Sequence, residues 1–181
     1  MVQWKIQEMD KNHLEQVIEI ERASFPTPWT EKMFLEELAS PLTKGSPPVS
    51  FHFVASRRER NLTKGSPPAD FVLCYIIFWM FREEVHILNL ATHPDFRRLG
   101  IAHSLLLFAL DFSYRRGAIL YLLEAREGNQ PALQLYQKLG FASCGVRRKY
   151  YPDTGEDTIL MGLFYGDRKD EKKDHEQSRI P

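Results

Sequence analysis

Between residues 85 and 141 the sequence places three chemically capable groups in a fixed order. The first is the basic turn Arg97-Arg98-Leu99-Gly100, which opens a long segment striped with apolar residues. The second is Glu124, a carboxylate in the apolar run 119–125, and the third is Tyr136, a phenol in the segment 129–139. The first turn of a helix has N–H groups without partners and carries the positive end of the dipole, so a phosphate seated there accepts several bonds at once. Gly100 lets the backbone come close, and Arg97 and Arg98 add charge. A carboxylate among apolar neighbours on a central strand is partly desolvated, which raises its pKa toward the range a general base needs. A phenol of pKa ~10 stays protonated at neutral pH and can donate to a thiolate of pKa ~8.5. Each group also has a plainer reading: a solvated turn, an ion pair of Glu124 with Arg126 or Arg98, and a core tyrosine with a wet hydroxyl.

The elements that must position these groups can be read from periodicity. Residues 85–92 form a strand ending at His93-Pro94. The helix opening near Gly100 buries Ile101, Leu105, Phe108 and Phe112, with Ala102, Leu106 and Ala109 widening the stripe. Strand alternation over 119–125 sets Leu122, Glu124 and Arg126 on one face. In the short helix 129–139, Ala132, Leu135 and Leu139 turn toward the core, Tyr136 lies at the edge of that face, and Asn129 is the N-cap. Upstream, residues 3–9 read as an edge strand. Asp10-Lys11-Asn12 offers a cap, and Leu14, Val17, Ile18 and Glu21 follow at helical spacing to about Ala23. The loop FPTPWT, residues 25–30, is stiffened by two prolines. Its Phe25 and Trp29 must pack somewhere, and a staple onto the helix beginning at Thr30 is one solution. That helix carries Met33, Phe34, Glu37 and Leu38 and runs to about Ser40.

The heptapeptide LTKGSPP occurs at 42–48 and again at 62–68, bracketing a short strand at 49–56. Gly-Ser-Pro-Pro is loop material, and two seven-residue copies are far too short for a solenoid. Residues 70–80 are a third strand, joined by the turn 82–84 to the fourth. Residues 141–151 and 157–165 are further strands around the turn Asp153-Thr154-Gly155. From Gly166 the chain is almost entirely charged with alternating signs and is expected to be disordered, leaving residues 1–165 as the folded domain.

Composition narrows the function classes. At 181 residues the chain suits one domain with a sizeable core. Lys plus Arg equals Asp plus Glu, 24 each, so net charge steers no nucleic acid and none is expected as a partner. Cys74 and Cys144 both lie in apolar strand-like runs and read as buried thiols of a reducing, cytoplasmic compartment. No CxxC is present and the six histidines are scattered, so no metal is expected. The longest apolar run, 71–81, falls well short of the ~20 residues a membrane-spanning helix needs.

Arg-x-x-Gly-x-Ala behind a strand, then Leu-Glu-Ala-Arg-x-x-Asn, then Leu-Tyr-x-x-Leu-Gly-Phe, resembles the GNAT acyltransferases. The segments 25–30 and 147–152, with Glu156-Asp157 after them, are similar to the RimI subfamily, bacterial N-terminal alanine acetyltransferases that modify a small-subunit ribosomal protein. The resemblance covers residues 6–164. It implies an α/β GNAT fold: a mixed, mostly antiparallel central sheet with helices on both faces, splayed between the fourth and fifth strands. It implies acetyl-CoA as co-substrate, contacted by Leu90, Ala91, Thr92, Arg98, Leu99, Gly100, Ile101, Ala102, His103 and Asn129. Glu124 would be the base and Tyr136 the acid. Phe25 and Trp29 would form one wall of an acceptor groove, with Tyr150 and Tyr151 facing them. Ala102 stands where many relatives have Gly, a change of little consequence for a backbone contact.

The acceptor class can be weighed physically. An N-terminal amine has a pKa near 8 and a lysine near 10.4, so at pH 7 deprotonating the lysine costs about 3 kcal/mol more. One modest base such as Glu124 therefore suits a terminal amine. A lysine or small-amine acetyltransferase remains an alternative, as does a non-catalytic acyl-CoA-binding protein.

Overall fold

The computed structural model describes residues 3–39, 48–58 and 70–165. Both copies of LTKGSPP, apart from Pro48, and the charged tail lie outside them. Seven strands form one sheet: β1 (Lys5–Glu8), β2 (Val49–Arg58), β3 (Asp70–Phe81), β4 (Glu84–Thr92), β5 (Leu120–Arg126), β6 (Ala142–Tyr151) and β7 (Glu156–Phe164). Their order across the sheet is β1-β2-β3-β4-β5-β7-β6. Every pairing is antiparallel except β4 with β5. Among the described residues the α-helices are α1 (Leu14–Ser24), α2 (Glu31–Ala39), α3 (Ile101–Tyr114) and α4 (Gln130–Lys138).

Each face of the sheet carries its own core. On one side α1 and α2 bring Val17, Ile18, Ile20 and Phe34 onto Val54, Val72, Tyr75 and Ile77. On the other, α3 and α4 bring Ile101, Leu105, Leu106, Leu133 and Leu139 onto Ile76, Phe78, Tyr121 and Leu123. Tyr75 through Ile77 alternate between these faces, as a strand buried on both sides requires. Phe108 and Phe112 are only partly buried. They pack edge-on against Phe53 at 5.0 and 4.9 Å between centroids.

Local signals fix the ends of the helices. Asp10 caps a 3₁₀ turn, Lys11–His13, that leads into α1. Thr30 Oγ1 accepts the N–H of Met33 at the start of α2. Trp29, just before that cap, meets Phe34 in the following turn at 5.4 Å, which is the expected staple. Besides Phe108 and Phe112, two more residues depart from their expected burial. Cys144 is exposed, because β6 is an edge strand whose side chains are nearly all solvent-facing. Tyr136 is buried in the core rather than at the edge of its helix face, and its ring packs on Phe141 at 5.9 Å.

Candidate functional site

The site begins with a parting of strands. β4 and β5 pair from Glu84↔Leu120 to Ile87↔Leu123 and then diverge. At the same level a bulge falls in β4. Asn89 pairs with Ile77 and Ile87 with Phe78, so Leu88 is the extra residue. The bulge flips the alternation. Val85, Ile87 and Leu90 lie on the α3 side, whereas Leu88 and Ala91 join the α1–α2 side. Past the bulge, the β5-facing edge of residues 88–92 has no strand partner among the described residues. Backbone of Leu90, Ala91 and Thr92 therefore lines the gap. Across it, Glu124 is the first residue of β5 beyond the last pair.

Below the gap the chain turns into α3. Arg98 and Gly100 both take left-handed backbone, φ 65° and 80°, and Gly100 is the N-cap. A Cβ on Gly100 would meet nothing within 4 Å, so the space over this turn is open. The leading N–H groups of α3 have no intrahelical partners, and Arg98, Leu99 and His103 are exposed beside them. Arg97 behaves differently from the expectation. Its Nη2 donates to the Ala23 carbonyl and Ser24 hydroxyl, and its Nε to the Thr92 carbonyl, so it braces the turn against α1. Ile101 is buried and Ala102 half-buried; both anchor the helix more than they line it. Asn129 caps α4 by accepting the N–H of Ala132.

The two proton-moving groups sit in different environments. Glu124 keeps about a third of its side chain exposed, and Arg147 of β6 reaches it at 2.8 Å. The ion pair foreseen with Arg126 or Arg98 thus forms with another arginine. Tyr136 is the opposite case. Burial pushes its phenol up to about 12, with the nearby Cys74 thiol adding to the shift. Cys74, itself pushed up to about 12 by burial, accepts a hydrogen bond from the Thr92 hydroxyl at 3.3 Å. A buried neutral thiol of this kind is no nucleophile.

Two further charged residues organise the segments beside the gap; the sequence offered Arg126 only as an ion-pair partner of Glu124 and Glu21 only as a member of a helical stripe. Glu21 is 1% exposed and lies between α1, the 25–30 loop and the β4 bulge. It accepts the Trp29 N–H at 2.8 Å, the Asn89 amide at 3.2 Å and the Tyr75 hydroxyl. Arg126 forms ion pairs with Asp153 at 3.0 Å and Glu156 at 3.3 Å and stacks on the Tyr151 ring at 3.6 Å. Phe25 and Trp29 are half-buried against the α1–α2 core. Tyr150 is exposed and meets Tyr151 edge-on at 5.1 Å, at the end of β6. A charged residue on a buried helical stripe was the available signal for Glu21. Among the described residues no cluster could hold a metal ion, and no helix is long and apolar enough to cross a membrane.

Comparison with known proteins adds a second line of evidence. Residues 14–141 match the model of the Acetyltransferase (GNAT) family. The chain is 30% identical to the [ribosomal protein bS18]-alanine N-acetyltransferase of Escherichia coli K12, over 87% of this chain and 95% of that protein. It is 34% identical to the N-alpha-acetyltransferase RimI of Mycobacterium tuberculosis, over 77% of this chain and 78% of that one. The crystal structure of the E. coli ribosomal-protein-S18-alanine N-acetyltransferase superposes with a TM-score of 0.70 at 28% identity, covering 90% and 94% of the two chains.

Proposed function

The chain belongs to the acetyltransferase (GNAT) family, and from that premise we propose that it moves an acetyl group from acetyl-CoA to the N-terminal alanine amine of a small-subunit ribosomal protein in the cytoplasm. The observation that carries this reading is the gap between β4 and β5, with strand backbone that has no strand partner among the described residues on one side and Glu124 at the lip of the other. Acetyl-CoA supplies the activated acyl group as a thioester. The open left-handed turn at Arg98–Gly100 suits its pyrophosphate, held by N–H groups of α3 with Arg98 and His103 alongside. The edge of residues 90–92, without a strand partner among the described residues, suits the pantetheine arm, and Asn129 closes the far side.

In this scheme Glu124 takes a proton from the terminal ammonium. The freed nitrogen lone pair then forms the new C–N bond, the C–S bond breaks, and Tyr136 gives its proton to the departing thiolate; the second proton leaves the amide nitrogen through water and restores the phenol. Arg147 does not block the base. An ion pair this exposed is worth at most about 1 kcal/mol, which an arriving acceptor can offset. Tyr136, held neutral in the core, keeps its proton until the thiolate appears. No covalent enzyme intermediate is needed. Phe25 and Trp29 on one wall and Tyr150 and Tyr151 on the other suit an extended peptide as acceptor.

The test uses two short peptides with acetyl-CoA. One begins with a free alanine; the other is blocked at its N-terminus and carries an internal lysine. Turnover on the first alone supports the reading, and turnover on the second reassigns the enzyme to lysine. Glu124→Gln should lower kcat/KM about 10²- to 10⁴-fold while acetyl-CoA still binds. A wild-type protein that binds acetyl-CoA but turns over neither peptide would point to a binding protein instead.

A further inference from the structure

We propose that Arg126 is a positioning residue that fixes the width of the acceptor groove, and so sets affinity for the acceptor peptide without touching the reacting atoms. The inference rests on the groove assigned above. Arg126 lies two residues beyond Glu124 on the same face of β5, and its side chain is only 14% exposed. Its guanidinium reaches three other segments. Nη2 donates to Asp153 Oδ2 at 3.0 Å and Nη1 to Thr154 Oγ1 at 3.1 Å, both in the turn between β6 and β7, and Nη1 also donates to Glu156 Oε2 at 3.3 Å, at the first residue of β7. Nη2 also meets Thr27 Oγ1 at 3.4 Å, in the loop that carries Phe25 and Trp29. The flat face lies over the Tyr151 ring, 3.6 Å from its centroid.

One planar cation thus touches both proposed walls at once. The edge-on donors tie the loop and the turn, and the face carries the aromatic. Only a guanidinium can do all three, because its fork and its flat face are fixed relative to each other, whereas an ammonium is a point charge. The contacts lie on the acceptor side of β5 and involve none of the residues assigned to the coenzyme. Loosening them should therefore spread the walls and leave the coenzyme cradle alone.

Arg126→Ala and Arg126→Lys would be compared with wild type for acceptor KM, kcat and acetyl-CoA Kd. The expected result is a rise of tenfold or more in acceptor KM, kcat within about threefold, and acetyl-CoA Kd within about twofold. Lysine should rescue poorly. Thr27→Val severs only the loop contact on an exposed side chain and should raise acceptor KM by about two- to threefold, which keeps the test alive if the Arg126 variants do not fold. An unchanged acceptor KM in the Arg126 variants, or in Thr27→Val should those not fold, overturns the proposal. So does full rescue by lysine, or an acetyl-CoA Kd that climbs in step with KM. Trp29→Ala and Tyr150→Ala separate the levels. If both leave acceptor KM unchanged, the groove itself is misassigned. If both raise it and the Arg126 variants do not, only the role given to Arg126 falls.

Discussion

Replacing Glu21 by glutamine keeps the shape of the side chain and removes one acceptor. The wild-type carboxylate offers Oε1 to the Trp29 N–H at 2.8 Å and Oε2 to the Tyr75 hydroxyl, with Asn89 donating to both oxygens. All three partners are neutral donors. The backbone N–H of Trp29 cannot re-aim, so the glutamine oxygen must stay with it. The amide NH2 then faces the Tyr75 hydroxyl, which is buried with the rest of its side chain. That hydroxyl can turn to accept, and its own proton is left without a partner. An unsatisfied buried donor costs about 1–3 kcal/mol. For a domain of this size each kcal/mol lowers Tm by roughly 2–4 °C, so Glu21→Gln should lose about 2–12 °C by calorimetry at pH 7. A double-mutant cycle sharpens the test. Tyr75→Phe removes the stranded proton, so adding it to Glu21→Gln should destabilise less than it does in wild type, by about 1 kcal/mol. A Tm within 1 °C of wild type, or strictly additive losses, would refute the network as drawn.

Two further outcomes can be checked directly. The phenol of Tyr136 is raised, so its neutral form is favoured in the fold. The resulting stability is fully present below the unfolded value near 10 and is lost only as pH climbs through about 12. The pH–rate profile should accordingly show no falling limb between pH 8 and 10 that disappears in Tyr136→Phe; such a limb would mean the ring is wetter than its burial implies. Native protein treated with a thiol reagent should label at Cys144 within the time needed for a free thiol, while Cys74 should react only on unfolding. Equal labelling of both, read by mass spectrometry, would contradict the burial of β3.

The central stretch was legible because its signals are local. A strand, a glycine turn and an apolar helix stripe each span fewer than twenty residues; α3 starts, and β5 starts and ends, within a residue of expectation. Even the staple of Trp29 on Phe34 follows from spacing alone. What the sequence could not supply was pairing at long range. Arg147 lies far along the chain from Glu124, and nothing local distinguishes it from Arg126 or Arg98 as a partner. Sheet order decides. β7 intervenes between β5 and β6, and the long arginine reaches across it. The same order explains Cys144, whose apolar neighbours read as buried but lie on the sheet's outer strand.

The bulge at Leu88 shows why one extra residue matters to the chemistry. Without it, strict alternation would turn Asn89 to the side of Ile87, toward α3. With it, Asn89 faces α1 and meets Glu21, while Leu90 turns toward the α3 side. The strand is bent at the level where β5 leaves it, so the loss of pairing and the change of face share one cause. Glu21 then ties that bent segment to the Trp29 loop through a single carboxylate. The gap proposed for the coenzyme and the wall proposed for the acceptor are thereby set against the same two residues, Asn89 and Glu21. A variant that straightened β4 would be expected to disturb both together, whereas loss of Arg126 would disturb the acceptor wall alone.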